Sequence, residues 1–147
     1  MKRGLLCEPE ARQAFQEQND GHVELEVSET GLFLSRKHSF LGASPDGLVK
    51  CKCCEPRLLE IKVPVKVEDF AKTQFRDGQL KKSSKYYTQV QVQMGVTGLD
   101  FCVLFVYSKE KCVQILVPFD SEFFTEVAKR CNFFATMYLL PHISSNC

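Results

Sequence analysis

The sequence predicts an α/β domain, a β-sheet with helices packed against it. Two observations carry that expectation: the periodic segments run helix, strands, helix, strands, helix, and a capped helix closes the series. A third is continuity. No internal repeat, low-complexity tract or Pro/Gly linker divides the 147 residues, so a single domain over residues 1–147 with one sizeable core is expected.

Residues 8–19 carry Ala11, Ala14 and Phe15 at helical spacing. Proline is best tolerated in a first turn, so Pro9 predicts a helix beginning near Glu8, and Asn19-Asp20-Gly21 ends it. Val23, Leu25 and Val27 then alternate as one strand face, with Glu29-Thr30-Gly31 turning into Leu32-Phe33-Leu34. A second hairpin is expected from Phe40–Val49 and Arg57–Val63, joined by the polar stretch 50–56. After Pro64 a long polar connection is expected. Tyr86–Val96 is ambiguous, because alternation slightly favours a strand while Tyr87, Val90, Met94 and Thr97 share a helical face. Phe101–Tyr107 and Cys112–Val117 read as a hairpin around residues 108–111. Asp120 or Ser121 caps a last helix, expected to reach about Leu140 and to stop at Pro141.

Composition narrows the class. Hydrophobic content of 44% and charged content of 25% fit an ordinary globular domain. No apolar run approaches the ~18 residues of a membrane span, and no signal-peptide core is visible, so the chain reads as intracellular, with nucleus and cytoplasm undistinguished. A net charge of +1 does not advertise a nucleic-acid partner. Lys72, Arg76, Lys81, Lys82 and Lys85 are clustered, however, and could touch phosphates or simply form a solvated face. Eight cysteines without a secretory signal should be mostly thiols. The run Cys51-Lys52-Cys53-Cys54 invites a metal reading but lacks a second paired cluster, and is expected to be a cysteine-rich turn.

The chemistry lies in Ser44-Pro45-Asp46-Gly47 and Glu60-Ile61-Lys62. In a strand, Glu60 and Lys62 share one face while Leu59, Ile61 and Val63 form the other, the core side. Hairpin pairing brings Asp46 alongside Glu60. Two adjacent carboxylates repel and raise a pKa unless a cation joins them. Mg²⁺ resolves the conflict with oxygen ligands, including a backbone carbonyl such as that of Ile61. Lys62 can orient a water, and a bound metal favours its deprotonation. These parts suit phosphodiester hydrolysis.

The strings Leu41–Leu48 and Leu58–Pro64 resemble the YqaJ-like viral recombinase domain and the phage lambda-type exonucleases, of the PD-(D/E)xK nuclease class. Glu8-Pro9-Glu10-Ala11-Arg12 resembles the family's first catalytic helix, and Tyr86–Met94 its glutamine-bearing helix. The likeness runs over about residues 4–120, with all four motifs in order. It implies a restriction-endonuclease-like core, a central mixed β-sheet flanked by helices, and decides 86–96 as a helix. It further implies Asp46 and Glu60 as ligands of Mg²⁺ or Mn²⁺, Lys62 holding the attacking water, Glu8 completing the acidic site and Gln89 orienting Lys62 or the water. Tyr86 would touch DNA. Lambda-type exonucleases carry a substantial segment before the Glu8-like helix that is not matched here, and some members form ring-shaped trimers.

The expected function is therefore a Mg²⁺-dependent deoxyribonuclease, an exonuclease on double-stranded ends serving recombination or DNA processing. Two rivals stand beside it: a catalytically silent DNA-binding or protein-interaction domain of the same fold, and a thiol-based metal module at Cys51, Cys53 and Cys54.

Overall fold

The computed structural model describes residues 2–145, with side chains from Cys7 onward. Helix α1 (Lys2–Gln18) is followed by strands β1 (Glu26–Ser28), β2 (Phe33–Leu34), β3 (Gly42–Ala43), β4 (Gly47–Cys51) and β5 (Cys54–Lys62). Next come α2 (Val67–Gln74), β6 (Phe75–Arg76), β7 (Gln79–Leu80) and α3 (Lys85–Thr97). Strands β8 (Phe101–Tyr107) and β9 (Cys112–Pro118) lead into α4 (Ser121–Phe134), a π turn (Ala135–Leu139) and α5 (Leu140–Ser145).

The central sheet has the order β1-β4-β5-β8-β9. Only β5 and β8 pair in parallel, with Glu60 opposite Leu104 and Lys62 opposite Val106; the other three pairings are antiparallel. This is the mixed sheet flanked by helices that was expected.

The apolar interior has two sides rather than one. Leu59 and Ile61 join Val49, Val103, Phe105 and Tyr107 against Ala11 and Phe15 of α1. Leu58, Cys102, Leu104 and Val106 pack on the opposite face against Val90 and Met94 of α3. The face bearing Glu60 and Lys62 is thus roofed by a helix, because β5 lies mid-sheet and both faces of a central strand are covered.

Several expectations about the elements are corrected. Helix α1 starts at Lys2 and contains Pro9. Proline's fixed φ suits a helix, and it forfeits one donor while packing of Ala11 and Phe15 anchors the turns that follow. The Glu29–Gly31 turn does not make a hairpin of its neighbours. Instead β1 pairs with β4, Val27 opposite Val49, and β2 pairs with β3. The expected arm Phe40–Val49 is broken between β3 and β4 at Ser44-Pro45-Asp46, where proline has no N–H for a ladder. The turn between β4 and β5 shrinks to Lys52-Cys53, with Cys51 opposite Cys54.

The connection after Pro64 holds α2, which buries Val67 and Phe70, and the small β6–β7 hairpin. Asp77 and Gly78 both have positive φ, 52° and 73°, as a two-residue hairpin turn of the right twist demands. Segment 86–96 is helical, capped by Ser84 Oγ accepting from Tyr86 N–H and closed by Gly98 at φ 76°. Pro141 does not stop the last helix. The turn before it is π, with Leu140 N–H donating to the Ala135 carbonyl, and α5 continues to Ser145. Phe133, Phe134, Met137, Tyr138, Leu140 and Ile143 remain exposed there.

Candidate functional site

Four side chains gather around Glu60. Its carboxylate is buried, at 2% exposure, on the α3 side of β5. Lys62 Nζ donates to Glu60 Oε1 at 2.6 Å, and Gln89 Nε2 donates to the same oxygen at 2.6 Å. Gln93 Nε2, one helical turn further along α3, donates to Oε2 at 2.8 Å. Asp46, just before β4, takes the Ile61 N–H on its Oδ2 at 2.7 Å. Ile61 lies two residues beyond the last β4–β5 pair, Gly47 with Leu59, so this side-chain bond continues the ladder where the strand has ended. In an extended strand the N–H and C=O of one residue point the same way, so the Ile61 carbonyl faces the Asp46 edge too.

The acidic site extends to α1. Glu8 sits inside that helix, not at its start, so a helix-start role does not account for it. Arg12, one turn on, donates to Glu8 Oε1 at 3.1 Å and to the Asp46 carbonyl at 2.9 Å, and also pairs with Glu29. One guanidinium therefore ties α1 to the segment that enters β4.

Electrostatics expose the strain of this grouping. Burial, then the charge of Asp46, pushes the Glu60 carboxyl above its ordinary value, while Lys62 and the Gln93 bond pull it down. Glu8 is likewise raised by burial first and by Asp46 next, with Arg12 opposing. Asp46 thus acts on both glutamates, and the three carboxylates share one field. The buried Gln93 Oε1 has no hydrogen-bond partner. Hard oxygen donors gathered around one point, two of them raised by burial and then by the charge of Asp46, are the donor set a divalent cation relieves, so the residues fit such an ion.

Of the residues singled out in the sequence, Glu8, Asp46, Glu60, Lys62 and Gln89 come together. Gln89 reaches the carboxylate that Lys62 pairs with. Tyr86 lies beside them, its ring 5.0 Å from Lys62 Nζ and 5.2 Å from Lys85 Nζ. The basic cluster divides. Lys72, Arg76 and Lys85 are exposed. Lys81 donates to the Thr73 carbonyl at 2.7 Å and Lys82 to Asp120 Oδ2 at 2.6 Å, so both already have partners within the fold. Sequence reading missed Arg12 and Gln93. Each stands four residues after a site residue on the same helix, Glu8 and Gln89, and that spacing was the available signal.

Comparison with known proteins gives the family and the fold. A family model described as a YqaJ-like viral recombinase domain matches residues 1–100. No curated protein matches the chain in sequence. Among solved structures, the chain is similar to the alkaline exonuclease LHK-Exo of Laribacter hongkongensis, including its complex with dAMP. The TM-score is 0.77 with 25% identity, covering 100% of this chain and 75% of that one. SSO0001 shares the fold alone, at a TM-score of 0.57 and 9% identity over 91% of this chain and 58% of that one.

Proposed function

Because the chain belongs to the YqaJ-like viral recombinase domain family, we propose that it is a metal-dependent deoxyribonuclease, an exonuclease on double-stranded ends serving DNA recombination or processing. The observation that carries this reading is the convergence of Lys62, Gln89 and Gln93 on the buried Glu60, with Asp46 held against the same strand. Likeness to an alkaline exonuclease supports the exonuclease part.

In this reading Asp46, Glu60 and the Ile61 carbonyl hold Mg²⁺ or Mn²⁺, with Glu8 completing the acidic end. The ion supplies Lewis acidity toward the phosphoryl oxygen and favours ionisation of the attacking water. The chain's own residues do the rest. Lys62, whose Nζ donates to Glu60 Oε1, would orient the water by its remaining ammonium donors. Gln89 and Gln93 fix the Glu60 carboxylate from above, so its position does not depend on the ion. Arg12 keeps Glu8 and the Asp46 backbone in one frame. Lys72, Arg76 and Lys85 are the exposed cations of the basic segment for phosphate contact, Lys85 lying over the Tyr86 ring beside the reacting end. Lys81 and Lys82 join them only by leaving their present partners.

The test is digestion of end-labelled linear duplex and closed circular DNA, with Mg²⁺, with EDTA, and with Lys62→Ala. Loss of linear but not circular DNA, abolished by EDTA and by the substitution, is expected. Nicked circles would overturn the end-specific part. Cleavage indifferent to Lys62, or none at all, would sink the mechanism and leave a binding domain.

A further inference from the structure

The far end of the β4–β5 hairpin gathers a different set of side chains. Cys51 and Cys54 face each other across the turn, Cys53 stands at its tip, and His22 arrives from the loop between α1 and β1. Their four ligand atoms all lie within 4.8 Å of one another, the one such His, Cys, Asp or Glu group among the described residues. His22 Nδ1 is 3.2 Å from Cys53 Sγ, 3.5 Å from Cys54 Sγ and 3.7 Å from Cys51 Sγ. Cys53 Sγ is 3.6 Å from Cys51 Sγ and 3.9 Å from Cys54 Sγ.

A single ion provides the comparison. Zinc–sulfur bonds of about 2.3 Å and zinc–nitrogen bonds of about 2.0 Å give a tetrahedron with S···S edges of about 3.8 Å and N···S edges of about 3.5 Å. The five measured edges cluster around those values. We propose that His22, Cys51, Cys53 and Cys54 form a closed tetrahedral site for one structural zinc ion. Sequence alone offered the three thiols as a rival metal module but not the fourth ligand, which comes from another segment of the chain, 29 residues before Cys51.

Three further features support the assignment. Lys52 N–H donates to the Val23 carbonyl at 2.9 Å, so the backbone already clamps the histidine loop to the cysteine turn. Arg57 Nη2 lies 3.8 Å from Cys51 Sγ, a cation beside a site whose three thiolates outweigh the dipositive ion. Three soft sulfurs and an imidazole favour zinc over magnesium, and a four-protein-ligand shell leaves no position for substrate. A multi-iron cluster would need its thiolates further apart than these are. The ion would tie the loop after α1 to the hairpin tip, about 16 Å along β4 from Asp46 at ~3.3 Å per residue. It would therefore brace the helix carrying Glu8 against the strands carrying Asp46 and Glu60.

The test is elemental analysis of the full chain purified without chelator, followed by cobalt(II) replacement. About one equivalent of zinc and the visible absorption of tetrahedral, thiolate-bound cobalt are expected for a four-ligand site. Zinc content should fall to less than about a tenth in Cys53→Ser and His22→Ala and stay whole in Lys62→Ala. Should the site variants fail to fold, the unaltered protein still decides. Alkylation of Cys51, Cys53 and Cys54 should be slow until a strong chelator is added. Rapid alkylation of all three without chelator in a folded, zinc-free protein would overturn the proposal, as would stoichiometric iron in place of zinc.

Discussion

The two ends of the β4–β5 hairpin present opposite solutions to crowded ligands. At one end Asp46 and Glu60 are hard oxygen donors, and Glu60 is almost wholly buried. Each has a protein partner: Ile61 N–H for Asp46, and Lys62, Gln89 and Gln93 for Glu60. At the other end Cys51, Cys53, Cys54 and His22 chiefly face one another, with Arg57 as the nearby cation. Under the two metal assignments proposed above, the difference separates an exchangeable ion from a permanent one. An acidic site that must survive without its metal keeps substitutes within reach, whereas a structural site has little else to hold it together.

Four measurements would break or sharpen that contrast. Lys62→Ala has the largest expected effect, a fall in kcat on the order of 10²–10⁴ with zinc content untouched, read by digestion and elemental analysis in parallel. Next in size is a strong chelator, which should lower Tm by on the order of 10 °C, against a much smaller change when only Mg²⁺ is withdrawn. Equal shifts from the two treatments would erase the distinction.

The third is a pH dependence. Glu8 and Glu60 bind protons more tightly folded than unfolded, burial being the first cause in both. The stability this contributes is full below their ordinary value of 4.5 and is lost as pH rises through the raised values. A cation that takes the proton's place therefore stabilises more as pH rises, and the Mg²⁺-induced increase in Tm should grow from pH 4.5 toward neutrality. A pH-independent increment would count against the carboxylates as ligands. The smallest effect is Gln93→Leu. It removes a donor to Glu60 but also an unpartnered buried oxygen, so stability should change by less than about 1 kcal/mol. The acid limb of the pH–activity profile should nevertheless move upward, because the bond that lowers the Glu60 carboxyl is gone.

What the sequence made legible follows from how local each signal is. Alternation in 57–63 and 101–107 found β5 and β8 and the shared face of Glu60 and Lys62. Asp120 was legible as a cap, and its carboxylate accepts the Phe123 N–H. For α3 the alternating pattern misled, since Gln91 and Gln93 are buried polar groups answering the Pro118 carbonyl and Glu60 rather than the solvent side of a strand. Ser84 and Gly98, its two caps, were the local clue. Helix α2 buries only Val67 and Phe70, too few for periodicity to stand out. Asp77-Gly78 was a readable turn signal that the expected polar connection passed over. His22 and Arg12 escaped because their roles depend on partners distant in the chain.

The one parallel pairing in the sheet bears on how the chain assembles. The β4–β5 hairpin closes through a two-residue turn, while β5 meets β8 only after α2, β6, β7 and α3 have been made. Local closure is fast and distant pairing slow, so a chain emerging from the ribosome forms its thiol turn early. Until α3 and β8 arrive, the strand bearing Glu60 and Lys62 has an open edge and no roof. The acidic centre is thus the late-maturing part of the molecule, and an unpaired β5 edge in the nascent chain is where misassembly would begin.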